Sequence, residues 1–407
     1  MKVHGFLISF SLMFLLIPAG IPLHMCQAAG SSGGHDSVRI VPAAERMSLY
    51  LPMVRGKNVA VTANHSSRIA GIHLVDTLLS LGIQVKKVFS PEHGFRGDAA
   101  DGQLIDHQTD PKTGLPIISL YGKKKKPEAE DLKDVEVILF DIQDVGVRFY
   151  TYISTMTYVM EAAAAAGIPV IVLDRPNPHG HYIDGPLLEP GLKSFVGLHP
   201  VPVVYGMTIG EYALMVNGEG WLENGIQCDL TVIPLDAYDH TMLYHLPVPP
   251  SPNLPNMQAV YLYPSLALFE GSIVSVGRGT DLPFQIFGHP LMASGTYLFT
   301  PRSIPGASLN PPLLGQECKG YNLKDFGAAQ ARNGGRIYLH WLLDSYRELG
   351  SQPSFFTPYF DKLAGSPSLR QAILAGHTEA EIRLSWQDGL KQFRMIRKKY
   401  LLYPDFQ

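Results

Sequence analysis

Apolar residues in the first half of this chain fall in short runs, separated by stretches of helical spacing. Residues 57–62 are rich in valine, residues 73–81 repeat their apolar positions every third or fourth place, and residues 83–89 are valine-rich again. Strand, helix, strand is the order this predicts. Further strands are expected at 116–120, 135–140, 168–173 and 230–233. The 135–140 and 168–173 runs are continuously apolar, as in strands covered on both faces. Residues 150–166 read as one long helix stopped at Gly167, with Pro169 beyond it. Thr208 and Glu211 form a capping-box signature for a helix from Ile209 to about Val216. The sum predicts an α/β fold with a doubly wound, mostly parallel sheet and helices on both faces.

After Leu246 the pattern changes. The run Pro247-Val248-Pro249-Pro250-Ser251-Pro252-Asn253-Leu254-Pro255 can be neither helix nor central strand, and the chain beyond it is rich in Gly, Pro and aromatic residues. A first domain over 38–246 and a smaller α+β domain over 247–407 are expected, the second ending in a helix at 385–398 and the tail Tyr400-Leu401-Leu402-Tyr403. At the other end, Lys2, an apolar stretch over 6–17 and the small-residue run Ala28-Ala29-Gly30 have the order of a secretory signal. A signal peptide over 1–28 and a flexible leader over 29–37 are therefore expected. The apolar stretch falls short of the ~20 residues a membrane span needs. The mature chain should lack a transmembrane span and be exported, to the periplasm or the extracellular side. A lipid anchor at Cys26 is the rival, disfavoured by His24 and Met25 where small residues belong.

Composition narrows the chemistry. The 407 residues are 46% hydrophobic and 17% charged, enough for a full core. A net charge of -3 with no basic stripe gives nucleic acid little to bind. Lys123 to Lys126 is a charge run whose plain reading is a solvated loop. Besides Cys26 there are only Cys228 and Cys318, too far apart in sequence for metal-ligand spacing and too few for a disulfide framework. The chain carries no phosphate loop, dinucleotide fingerprint, nucleophile elbow or zinc-binding His-Glu-x-x-His helix. His65, His93 and Asp141 lack close ligand spacing, so no metal and no cofactor are expected.

In open α/β sheets ligands bind at the carboxyl ends of the strands. Here those ends read Asn64-His65-Ser66, then Pro91-Glu92-His93-Gly94-Phe95-Arg96-Gly97, then Asp141-Ile142-Gln143-Asp144, then Asp174-Arg175-Pro176-Asn177-Pro178. Each alone suits a cap or a turn. Together they bring carboxylates, amides and imidazoles to one edge, which catalysis requires and turn formation does not. Glu92, between a proline and a glycine turn, is the leading general acid, with a salt bridge to Arg96 as its plainer alternative. Arg148, Tyr150 and Tyr152 lie close by in the chain, and with Gln143 they suit a carbohydrate, which amides and flat aromatic faces hold well. The loops around Asn253 and Arg278 have polar centres and stiff flanks. They are expected to close over the edge and set Arg278 against an anionic group.

These segments resemble the NamZ-type exo-β-N-acetylmuramidases, glycoside hydrolase family 171. The motifs Val61-Thr62-Ala63-Asn64-His65-Ser66, Ser90 through Gly97, Asp141 through Tyr152 and Asp174 through Pro178 carry the resemblance. It continues through Gly185-Pro186, Ser251 through Pro255, Gly277-Arg278-Gly279-Thr280 and the Tyr400–Tyr403 tail. The chain departs from the pattern at Asp281-Leu282-Pro283-Phe284, where a more polar entry is expected. The resemblance implies a Rossmann-like domain followed by a smaller one, with the active site in the cleft between them. It also implies release of terminal N-acetylmuramic acid from the non-reducing end of peptidoglycan fragments, with the family's catalytic glutamate falling on Glu92. Asp141 or Asp144 would be the second carboxylate, unless the substrate's own N-acetyl group attacks. Arg148, Arg175 and Arg278 are the candidate cations for the lactyl carboxylate. A non-catalytic exported sugar-binding protein and a metal-dependent ester hydrolase are the rival readings.

Overall fold

A computed structural model of the chain describes residues 39–96, 108–352 and 354–406. The expected signal peptide, leader, Cys26 and Gly97 lie outside the described residues. Eleven strands belong to the first half of the fold: β1 (Asn58–Ala63), β2 (Arg68–Ile69), β3 (Ile72–His73), β4 (Gln84–Ser90), β5 (Gln108–Thr109), β6 (Pro116–Ser119), β7 (Val137–Asp141), β8 (Val170–Leu173), β9 (Asp184–Leu187), β10 (Pro202–Val204) and β11 (Leu230–Ile233). Seven of them make one sheet in the order β11-β8-β7-β1-β4-β6-β5. All its neighbours run parallel except the edge strand β5, which is antiparallel to β6.

Parallel strands must be reconnected by crossovers, and the intervening helices bury both faces of the sheet. Every residue of β7 and β8 is accordingly buried. The helices α1 (Met47–Val54), α2 (Leu74–Ser80), α3 (Tyr152–Ala166) and α4 (Ile209–Gly218) supply this cover. α3 ends as expected, on Gly167 with φ 67°. α4 begins on the Thr208–Glu211 capping box. The strand order reverses direction around β1, with β4 on one side and β7 on the other. Loops leaving neighbouring strand ends diverge at such a point and leave a crevice.

Beyond residue 247 the chain forms α5 (Met257–Leu266), a three-stranded antiparallel sheet of β12 (Ile286–His289), β13 (Tyr297–Phe299) and β14 (Cys318–Asn322), and further helices ending in Glu379–Arg397. One apolar cluster joins sheet residues such as Phe89 and Phe140 to α5 and to Trp341, Phe360 and Trp386. Cys228 and Cys318 are buried and unbridged. Among the described residues, no helix is long and apolar enough to cross a membrane.

Two helices run against the sequence pattern, because α1 contains Pro52 and α5 contains Pro264. A proline removes one ladder bond, but both helices lie in the core with Tyr50, Val54, Leu262 and Leu266 buried. Packing outweighs the local preference there. The last helix starts at Glu379, earlier than the expected 385, on a second capping box of Thr378 and Glu381.

Candidate active site

β1 and β4 end side by side at the crevice. After β4, Pro91 carries the chain into a tight turn closed by the Gly94 amide donating to the Pro91 carbonyl at 3.2 Å. His93 in that turn takes φ 70°, a left-handed conformation that costs a non-glycine residue free energy and concentrates at functional sites. The turn presents Glu92 half-buried and His93 buried. His93 Nε2 meets Ser251 Oγ at 3.1 Å, which ties the turn to the proline-rich segment.

Glu92 stands on the wall of a narrow pocket with about 410 Å³ of empty space, mouth included. The segment before α3 contributes Phe149 through Thr151, and the helix itself contributes Tyr152. The proline-rich segment contributes Ser251, Asn253 and Leu254, α5 contributes Tyr263, and the 277–284 loop contributes Arg278 and Phe284. Both halves of the chain build it, as the sequence leads one to expect of the Asn253 and Arg278 loops. Thr151 Oγ1 donates to Glu92 Oε2 at 3.4 Å. Tyr150 donates its hydroxyl to the Pro250 carbonyl at 2.7 Å, and its ring meets Tyr152 and Tyr263 edge-on. Burial holds the Tyr152 phenol far above its ordinary range, with the nearby Glu92 charge acting in the same direction. Arg278 is oriented by Glu270, whose Oε1 accepts from Nε at 2.6 Å, and by the Phe284 ring 5.0 Å beneath the guanidinium.

The pocket thus gathers Glu92, His93, Tyr150, Tyr152, Asn253 and Arg278 out of the expected set. Asn253 Nδ2 is anchored on the Ala307 carbonyl at 3.1 Å. The other expected residues hold the frame around it. Asn64 is buried and accepts from both the amide and the hydroxyl of Ser66, at 2.9 and 2.6 Å. His65 bonds the Pro249 carbonyl at 2.8 Å. Gln143 donates to the Asp144 and Pro176 carbonyls at 2.8 and 2.7 Å. Asp141 is buried in a two-pronged ion pair with Arg175, at 2.5 and 2.8 Å. Asp174 takes four donors, from the amides of Arg175 and Gly210 and the hydroxyls of Thr208 and Tyr403. Asn177 donates to the Met207 carbonyl at 2.8 Å and packs so close to Gly146 that a Cβ there would stand 2.1 Å from its amide oxygen. Arg96 pairs with Asp76 at 3.0 Å and Asp110 at 2.7 Å.

Arg148 is fully buried, its guanidinium donating to the carbonyls of Pro186, Val201, Leu363 and Ala364 at 2.6–2.9 Å. Gly365 leaves the room for it, since a Cβ at that position would lie 2.3 Å from Nη2. Of the three arginines considered for an anionic group, Arg278 alone lines the pocket.

Asp144 differs from Asp141. Tyr205 donates a short hydrogen bond to its Oδ2, the Gly146 amide donates to the same atom at 2.6 Å, and Oδ1 is buried with no partner among the described residues. Desolvation pushes this carboxyl up to about 6, against the pull of those donors. It lies within electrostatic reach of Tyr150 and Tyr152. The pocket residues that sequence reasoning missed are Phe149, Thr151, Ser251, Leu254, Tyr263 and Phe284. Tyr263 carried no sequence signal, because it sits inside a helix that Pro264 hid.

Comparison with known proteins agrees with this architecture. Residues 59–258 match the N-terminal family model of the exo-β-N-acetylmuramidase NamZ, and residues 261–403 match the C-terminal one. The peptidoglycan β-N-acetylmuramidase NamZ of Bacillus subtilis is 42% identical over 373 residues, covering 87% of this chain and 89% of that protein. A crystal structure of a DUF1343-family protein from Bacteroides fragilis superposes with a TM-score of 0.84 at 46% identity, covering 90% of this chain and 99% of its own. A second DUF1343-family protein from the same organism gives 0.77 at 29% identity, with the same coverage. By sequence and fold alike, the chain belongs to the NamZ family of exo-β-N-acetylmuramidases.

Proposed function

We propose that this chain hydrolyses the β-glycosidic bond of a terminal N-acetylmuramic acid and releases that sugar from the non-reducing end of peptidoglycan fragments. Glu92 acts as the general acid. One observation carries the reading: a half-buried glutamate shares a narrow pocket with tyrosine and phenylalanine faces and an oriented arginine. Cleavage of a glycosidic bond needs a proton delivered to the leaving oxygen, and a carboxyl screened from water is suited to hold one. Aromatic faces pack on the apolar side of a pyranose. The Arg278 guanidinium offers its fork to the lactyl carboxylate that distinguishes muramic acid from glucosamine.

Of the two aspartates, Asp144 is the better second group. Asp141 has both oxygens committed to Arg175, whereas Asp144 keeps one oxygen without a partner among the described residues. It does not line the pocket, and its influence on a bound sugar runs through Tyr150 and Tyr152, which do. Export through the N-terminal signal would bring the enzyme to its polymer, and the N-terminal sequence of the secreted protein tests that, with cleavage near Ala28 expected.

The decisive assay is release of free sugar from a disaccharide of N-acetylmuramic acid linked to N-acetylglucosamine. Glu92→Gln should lower kcat by at least about a hundredfold while still binding the disaccharide. A variant with near-normal turnover would remove Glu92 from the acid role. A wild-type protein that binds the disaccharide without cleaving it would favour a sugar-binding protein instead.

A further inference from the structure

A second cavity opens on the flank of α3. Thr151 and Tyr152 reach the Glu92 pocket, and Thr157 and Tyr158 on the same helix line this cavity, about 9 Å further along the axis. It is an open hollow spanning about 1500 Å³ with open solvent included, against 410 Å³ counted the same way around Glu92. Its remaining walls are the lysine run after β6, the stretch around Lys193 and His199, and Trp221 beyond α4.

The lysine run is therefore more than a solvated loop. Two of its members fix the wall: Lys124 pairs with Glu128 and Asp131 at 3.0 and 2.9 Å, and Lys126 pairs with Glu161 and Glu223 at 2.9 and 2.7 Å. Lys123 and Lys193 are exposed, and like Lys125 they make no ion pair among the described residues. The Lys125 ammonium lies 4.6 Å above the Phe195 ring. Phe195 stacks on Tyr158 with 9° between the planes, and Trp221 stacks on His199 with 19°. Burial, with Lys193 adding to it, lowers His199 to about 3 and so keeps that ring neutral. The cavity combines the half-buried rings of Tyr158 and Trp221 on its wall with ammonium groups that make no ion pair among the described residues. That is the complement of a saccharide bearing carboxylates.

We infer that this cavity is a second binding site, which holds the reducing-end remainder of the peptidoglycan fragment through its lactyl and stem-peptide carboxylates. The inference rests on the substrate class proposed above. It adds that the enzyme grips its polymer away from the bond it cleaves.

Binding can be measured apart from hydrolysis in the Glu92→Gln protein, by calorimetric titration with uncrosslinked glycan strands carrying stem peptides. Adding K123E and K193E should weaken strand binding about tenfold, since each reversal removes an attraction and adds a repulsion. Hydrolysis of the disaccharide by a Glu92-intact K123E/K193E protein should stay within about twofold of wild type, because neither lysine lines the Glu92 pocket. Trp221→Ala should lower strand affinity in the same selective way. Equal strand affinity with and without the two reversals overturns the assignment. So does a parallel loss on the disaccharide, or tighter binding of poly(glycerol phosphate) than of the strands. If strands bind through these lysines but wild type leaves the disaccharide intact, the cavity assignment survives and the hydrolytic reading fails.

Discussion

Arg148, Arg175 and Arg278 are equivalent on paper, each a guanidinium in a polar motif near the expected site. Folding gives them three different surroundings: four carbonyl dipoles, the Asp141 carboxylate, and a pocket wall shared with Glu92. No local pattern distinguishes these fates, since the partners lie up to 216 positions away. The place of Glu92 on the pocket wall was legible, because a proline and a glycine turn set it at a strand end. Arg278→Ala should raise KM for muramic-acid substrates about tenfold more than for glucosamine analogues that lack the lactyl group. Equal losses on both would remove its proposed role.

Asp144 makes a pH prediction at the same scale. Its carboxyl sits at about 6 in the fold and at 3.8 in the unfolded chain, so the native state holds the proton longer. Stability is therefore lost as pH rises from about 4 to about 6, and the loss is complete above that window. Asp144→Asn is free of this titration. Relative to wild type it should gain up to about 3 kcal/mol between about pH 4 and pH 7 in denaturant titrations. A pH-independent difference would contradict the buried, raised carboxyl.

Elements were legible where one signal dominated. The strands over 58–63, 84–90, 137–141 and 230–233 lie within about two residues of their expected bounds, because unbroken apolar runs have few other homes. The Thr208–Glu211 box marked α4 correctly, while α1 and α5 were hidden by their prolines. What no run of sequence displays is the fastening of one element to another. Asp174 at the end of β8 caps the start of α4 and receives the Tyr403 hydroxyl at 2.5 Å, so the chain's tail closes onto the sheet. Tyr403→Phe leaves that carboxylate one donor short and should cost about 1–3 kcal/mol, read as a lower thermal midpoint. An unchanged midpoint would mean the tail is only resting there.

At the scale of the molecule, the sequence pointed to the sheet, its functional edge and the Asn253 and Arg278 loops that close over it, but not to the contacts that fasten those loops. Pairing between distant segments decides that closure, and the Gly- and Pro-rich stretches concerned carry no periodicity to read. The buried Arg148 has a consequence for how the protein comes apart. Its guanidinium belongs to the first family half, while two of its four acceptors, the carbonyls of Leu363 and Ala364, belong to the second. Separating the halves would strand a cation in an apolar interior, so neither half has a cheap way to melt alone. Heating should give a single calorimetric transition whose van't Hoff and calorimetric enthalpies agree, and Arg148→Lys, which loses the fork, should lower it or split it in two.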